Sequence, residues 1–105
     1  APTLSEIMGA ESNGYDKGQR AYVINKTSRK ISFSLEGSEA NTILNPCFVI
    51  KNWGSEKKAN IRINGEKKNN VSNVKQGIIR DTDGTLTAII WIEQKSEEKL
   101  TYSIF

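Results

Sequence analysis

The sequence predicts an all-β fold in which two antiparallel sheets pack face to face. Three observations predict it. From about residue 20 onward apolar residues recur at every second position, the period of a strand with one buried face. The runs are short, and Gly, Asn, Asp, Ser and Lys separate them at the roughly 8–12 residue spacing of sandwich strands. Two dipeptides, Asn64-Gly65 and Asp83-Gly84, are of the kind that closes tight hairpins.

A chain of 105 residues is one domain by size, long enough for a single core. The expected architecture is an immunoglobulin-like or jelly-roll-like β-sandwich spanning residues 1–105. Residues 21–25 (AYVIN) and 30–36 (KISFSLE) read as strands. In the second, Ile31, Phe33 and Leu35 point inward and Ser32, Ser34 and Glu36 outward. Residues 47–53 (CFVIKNW) and 59–64 (ANIRIN) follow, with Pro46 at a strand start, where its missing amide costs no ladder bond. Residues 85–93 and 100–105 are the last strands, and Leu86, Ala88, Ile90 and Ile92 make one apolar face. Helix is scarce: Thr3-Leu4-Ser5-Glu6 ahead of Ile7 and Met8 has the form of a capping box and predicts one short N-terminal helical turn.

Turn chemistry predicts registers. Asn64-Gly65 as a type I′ turn sets Ile63 opposite Glu66, Arg62 opposite Lys67 and Ile61 opposite Lys68, a lysine-rich returning edge. Asp83-Gly84 read the same way sets Thr82 opposite Thr85, Arg80 opposite Thr87 and Ile79 opposite Ala88. Ile78 then faces Ile89, and both share with Trp91 a sheet face turned away from the core. Such a face is covered by residues 1–20, docks a neighbouring domain or presents an aromatic platform to a ligand. A last hairpin pairs Glu93 with Lys99, Ile92 with Leu100, Ile90 with Tyr102 and Ala88 with Ile104, with Trp91 meeting Thr101.

Fifteen basic and twelve acidic residues give a net charge of +3, unevenly spread. Residues 1–20 sum to −1, residues 21–80 to +7 and residues 81–105 to −3. A basic middle favours anionic partners such as acidic polysaccharide, nucleic acid or a membrane surface. Its lysines sit among Glu, Asn and Ser in turn-like stretches (55–58 and 64–70), the composition of a solvated surface. No apolar run reaches the roughly 20 residues of a membrane helix, and the first eleven residues do not read as a signal peptide. Asn25-Lys26-Thr27 and Asn70-Val71-Ser72 satisfy the N-glycosylation triplet.

The chain has no histidine, which excludes Ser-His-Asp and Cys-His nucleophile systems and removes the commonest zinc ligand. Its single cysteine, Cys47, rules out an intrachain disulfide and reads as a small buried hydrophobe. Asp81-Thr82-Asp83-Gly84-Thr85 after an apolar strand resembles the nucleophile motif of haloacid dehalogenase-type phosphatases. That chemistry needs a parallel sheet with crossover helices of about 30 residues each, and the rest of the chain reads as antiparallel strands. The aspartates are therefore assigned to a bend and the protein to a non-enzymatic role. No cofactor is required, and calcium held by Asp81, Asp83 and backbone oxygens is the alternative use of the pair. For ligand binding the candidates are Trp53, Lys51 and Asn52 at a strand end, together with Trp91: indole stacks on a sugar face while Lys and Asn donate to its oxygens. The competing role for Trp53 is to plug the end of the sandwich.

Asn45-Pro46 through CFVIKNWG, then RINGE, then KQGIIRDTDGTLTAIIWIE and a final strand resembles the C-terminal β-sandwich modules attached to secreted bacterial enzymes that degrade polysaccharides. The resemblance covers residues 45–105. It implies an extracellular or periplasmic accessory module whose partners are polysaccharide or an adjacent catalytic domain rather than nucleic acid. An immunoglobulin-like spacer that docks on a neighbour without a ligand is the alternative.

Overall fold

The computed structural model describes residues 1–67 and 73–105. It is a β-sandwich, with no helix among the described residues. One sheet holds β1 (Leu4–Met8), β4 (Ile31–Leu35), β12 (Leu100–Ile104), β7 (Ile61–Ile63) and β8 (Glu66–Lys67), in that order. The other holds β2 (Ala10–Asp16), β3 (Ala21–Lys26), β6 (Cys47–Lys51), β10 (Leu86–Ile92) and β9 (Val74–Arg80). A two-stranded ribbon of β5 (Ile43–Leu44) and β11 (Lys95–Ser96) closes one flank. All described pairings are antiparallel except β3 with β6.

Alternating apolar residues meet between the two sheets. Phe33 and Tyr102 from the first sheet and Phe48 from the second are each 0 % exposed, with ring centroids 5.0–5.4 Å apart. Tyr22 joins them 5.8 Å from Phe48, and its hydroxyl donates to the Pro2 carbonyl. Ile24, Ile31, Ile50, Ile61, Ile90, Ile92 and Ile104 complete the core at 0 % exposure. Each such side chain contributes about 1.5–3 kcal/mol by leaving water.

Several expectations require correction. The capping-box segment is strand, with Leu4 opposite Leu35 and Ser5 opposite Ser34. A bulge at Glu6 (φ 52) breaks the ladder before Met8 pairs with Ser32. Pairing to β4 supplies these amides with partners that an isolated helical turn would lack. Ser34, expected to be exposed, is 2 % exposed and shares a 3.0 Å hydrogen bond with Thr101.

The last hairpin does not form. Beyond Ile92 the chain crosses to the other sheet, where Tyr102 lies between Phe33 and Ile63. Gln94 and Asn45 exchange hydrogen bonds at the crossing, and Lys95 and Ser96 pair with Leu44 and Ile43. The apolar sides of β10 and β12 thus face each other across the core instead of lying side by side. Alternation is the same in both arrangements, and residues 93–99 are long enough to span the roughly 10 Å between sheets.

The Asp83-Gly84 turn forms with a register one residue away from type I′. Leu86 pairs with Arg80, Thr87 with Ile79 and Ala88 with Ile78. Asp83 lacks positive φ and Gly84 has φ 90, so the loop is Thr82-Asp83-Gly84, closed by Asp81 N–H to Thr85 O at 2.8 Å. This is the three-residue type I turn with a glycine bulge. A one-residue slip exchanges the faces of a strand. Ile78 therefore packs against the core, and Ile79 takes its place beside Ile89 and Trp91 on the outer face. Asn64-Gly65, by contrast, is the type I′ turn expected (φ 49 and 85), with Ile63 opposite Glu66 and Arg62 opposite Lys67. The Ile61 to Lys68 pairing and the Asn70 triplet lie outside the described residues.

Gly9 (φ 77) marks the passage from β1 to β2, and its carbonyl accepts from both Thr27 and Ser28 N–H at 3.0 Å. A Cβ there would sit 2.1 Å from the Lys30 carbonyl oxygen, whereas one on Gly84 would meet nothing within 4 Å. Gly84→Ala is expected to cost about 1 kcal/mol, the left-handed backbone alone. Gly9→Ala is expected to cost about 3 kcal/mol or more, because backbone must move. Urea midpoints of the two variants test this, and equal losses would contradict the close approach at Gly9.

Burial pushes the Tyr22 hydroxyl up to about 12, and Tyr102 is raised further by the same cause. The folded chain holds these protons above the roughly pH 10 at which an unfolded tyrosine loses its own. The stability these two tyrosines contribute is therefore expected to be level below about pH 10 and to fall as pH rises beyond it. The fall should be shallower in Tyr22→Phe, measured as urea midpoint against pH.

Candidate functional site

Trp53 is 4 % exposed and caps one end of the sandwich. Asn52 (φ 58) and Gly54 (φ 76) turn the chain off the end of β6, and Trp53 N–H donates to Leu86 O at 2.9 Å. The indole N–H donates to Lys57 O at 2.8 Å, which shapes the following loop. Lys26 Nζ lies 4.9 Å from the ring centroid and donates to the Trp53 carbonyl at 3.0 Å. The indole thus plugs the end, with no open face for a sugar to stack on.

Around this plug the β3–β4 and β6–β7 loops converge on Phe105. Asn60 and Phe105 exchange two backbone hydrogen bonds of 2.8 and 3.1 Å. The Gln76 amide holds both backbone groups of Ala59, at 2.8 and 3.0 Å. Between the loops lies a depression of about 240 Å³ lined by Lys26, Arg29, Trp53, Lys57, Lys58 and Phe105, with Ser55 and Asn60 adding polar groups. Arg29, Lys57 and Lys58 are exposed and have no carboxylate partner among the described residues. Glu56, in the same loop, reaches Arg80 at 3.3 Å instead.

The other predicted residues do not gather here as one site. Lys51 lies on the outer sheet face, 4.0 Å from Asp81. Asn52 donates from its side chain to Asn25 Oδ1. Trp91, opposite Cys47 at the far end of β6, is half-buried with Lys75 Nζ 5.5 Å from its ring centroid. Cys47 is half-buried beside it, and burial pushes its thiol up, away from the reactive thiolate. Ile89 and Ile79, the latter 47 % exposed, continue this apolar outer face, with Val49 buried among them at 5 % exposure. Residues 1–20 do not cover it, since β1 joins the opposite sheet and β2 extends this sheet edgewise.

Asp81 and Asp83 are committed to the turn. Asp83 accepts from Thr85 N–H at 3.0 Å and Thr85 Oγ1 at 2.7 Å, and Asp81 accepts from Thr87 Oγ1 at 2.6 Å. Among the described residues no group of three or more Asp, Glu, Cys or His side chains could hold a metal ion. Among them, too, no helix is long and apolar enough to cross a membrane.

Of the residues lining this depression, Lys26, Arg29 and Phe105 were not singled out from the sequence, and Lys57 and Lys58 were placed only as a loop beside Trp53. The +7 charge of residues 21–80 was their signal, but reading the lysines loop by loop concealed that separate loops meet at one end. Fold and site together define a β-sandwich with a cationic, aromatic-walled depression at one end. No protein-family model, curated protein or solved structure matches the chain.

Hydrogen bonds from the Thr85 hydroxyl and backbone hold the Asp83 carboxyl below the usual aspartate range. In Thr85→Val the backbone donor remains and the hydroxyl is lost, so Asp83 should titrate at higher pH. Carboxyl-detected NMR titration reads the shift; an unchanged value would show that the hydroxyl bond does not form.

Proposed function

We propose that this domain is a non-catalytic accessory module of a secreted carbohydrate-active protein and that it binds glycan at the end depression. The observation that carries the reading is the depression itself. Lys, Arg, Ser and Asn side chains border a hollow of about 240 Å³ beside the Trp53 plug, with Phe105 at its rim. That volume lies below the ~300–1,000 Å³ of drug-type pockets and suits part of an extended polymer. Glycan suits such a hollow because its many hydroxyl and ring oxygens accept from donors of this kind without needing an open aromatic face.

A second reading, a spacer that docks on an adjacent domain, rests on the apolar outer face of Ile89, Trp91 and Ile79, the last 47 % exposed. Affinity electrophoresis through gels containing neutral and acidic polysaccharides separates the two. Lys57→Ala combined with Asn60→Ala should abolish retention while leaving the fold intact, since both side chains are exposed and neither carries a hydrogen bond of the plug. Trp91→Ala should leave retention unchanged. Absence of retention on every polysaccharide would favour the spacer.

A further inference from the structure

The depression does not end at Phe105. A second hollow of about 280 Å³, lined by Lys26, Thr27, Ser28, Arg29 and Asn52, shares Lys26 and Arg29 with it. The two form one shallow track across the end of the sandwich, with cations along its length and no carboxylate in its lining. Lys26 is held in place by the Trp53 carbonyl and ring, but the side chains of Arg29, Lys57 and Lys58 have no partner among the described residues. Lys30 and Arg62 lie 5.5 and 5.9 Å from the Phe105 ring centroid and extend the positive surface around its rim.

From this arrangement, and resting on the glycan-binding reading above, we infer that the track takes an anionic polysaccharide bearing repeated carboxylate or sulfate groups. Arg29, Lys57 and Lys58 contact the anions. A neutral glycan would leave three adjacent cations without counter-charge, whereas repeated anions along the track provide charge-assisted hydrogen bonds. Nucleic acid is the other polyanion with this charge, but single strands bind by stacking bases on open aromatic faces. Trp53 is 4 % exposed with Lys26 over it, and Phe105 has Lys30 and Arg62 near its ring. The hydroxyl and amide groups of Thr27, Ser28, Ser55 and Asn60 between the cations match a polymer rich in hydroxyls.

The test compares dextran sulfate, polygalacturonate, neutral dextran and single-stranded poly(dT) as ligands of the full chain, by titration at two salt concentrations. Two variants of equal net charge are set side by side: Arg29→Gln with Lys58→Gln, and Lys75→Gln with Lys95→Gln, whose lysines lie away from the track. Tighter binding of a charged glycan than of dextran or poly(dT) is expected, weakened about tenfold or more by the first variant and less than about twofold by the second. The preferred charged polymer distinguishes sulfate from carboxylate. Equal losses in the two variants would overturn the site, and poly(dT) binding as tightly as the best glycan would overturn the ligand class. Binding of neutral dextran as tight as that of the charged polymers would overturn the anion inference and leave the glycan-binding reading standing. Failure to bind any of the glycans would remove both.

Discussion

The contact between Phe33, Tyr102 and Phe48 is the constraint on which the rest of the structure depends. Phe33 and Tyr102 belong to one sheet and Phe48 to the other, and their centroids lie within 5.4 Å of one another. Aromatic pairs at this spacing add about 0.5–1.5 kcal/mol each beyond the area they bury. They also fix which faces of β4, β12 and β6 turn inward, because a strand can present only alternate residues to the core. Once Phe48 is inward, Val49 and Lys51 must be outward and Ile50 inward, and the exit of the chain at Asn52 follows from that phase.

From the same phase the end of the sandwich acquires its chemistry. β3 runs parallel to β6, so the two strands leave the sheet at the same end. The loop after β3 carries Arg29 and the loop after β6 carries Lys57 and Lys58. An antiparallel pair would have sent these loops to opposite ends. Gly9 holds the first loop through Thr27 and Ser28, and the Trp53 indole holds the second through the Lys57 carbonyl. The loops that carry the cationic side chains are thus each tied to the sandwich by hydrogen bonds, which would lower the ordering cost of the proposed binding.

Much of this was legible in the sequence where the signal was local. The inward positions of β4, the apolar face of β10 and the Asn64-Gly65 turn followed from two-residue periodicity and from the positive φ of a type I′ turn. The errors arose where distant groups decided. Leu35 and Ser34 recruited residues 4 and 5 into a ladder against their local helical preference. Asp83 bonded the Thr85 amide and hydroxyl, which favoured the three-residue loop over the two-residue one and moved Ile78 to the core side. Periodicity could not tell whether β10 and β12 are neighbours or face each other. Trp53 was noticed for its aromaticity, yet its importance lies in what it organises: Lys26 above it and the lysine loop beyond.

A sandwich end that gathers cations while Glu56 reaches Arg80 instead departs from the mixed charge of the surface elsewhere. Like charges in one hollow repel, and a surface under no functional demand intersperses both signs. Elsewhere the chain does so: Lys99 pairs with Glu6 and lies 4.0 Å from Glu36, and Lys51 lies 4.0 Å from Asp81. This contrast within one molecule is what the proposed anion site accounts for. Anions bound there as proposed would supply the counter-charge that Arg29, Lys57 and Lys58 lack among the described residues.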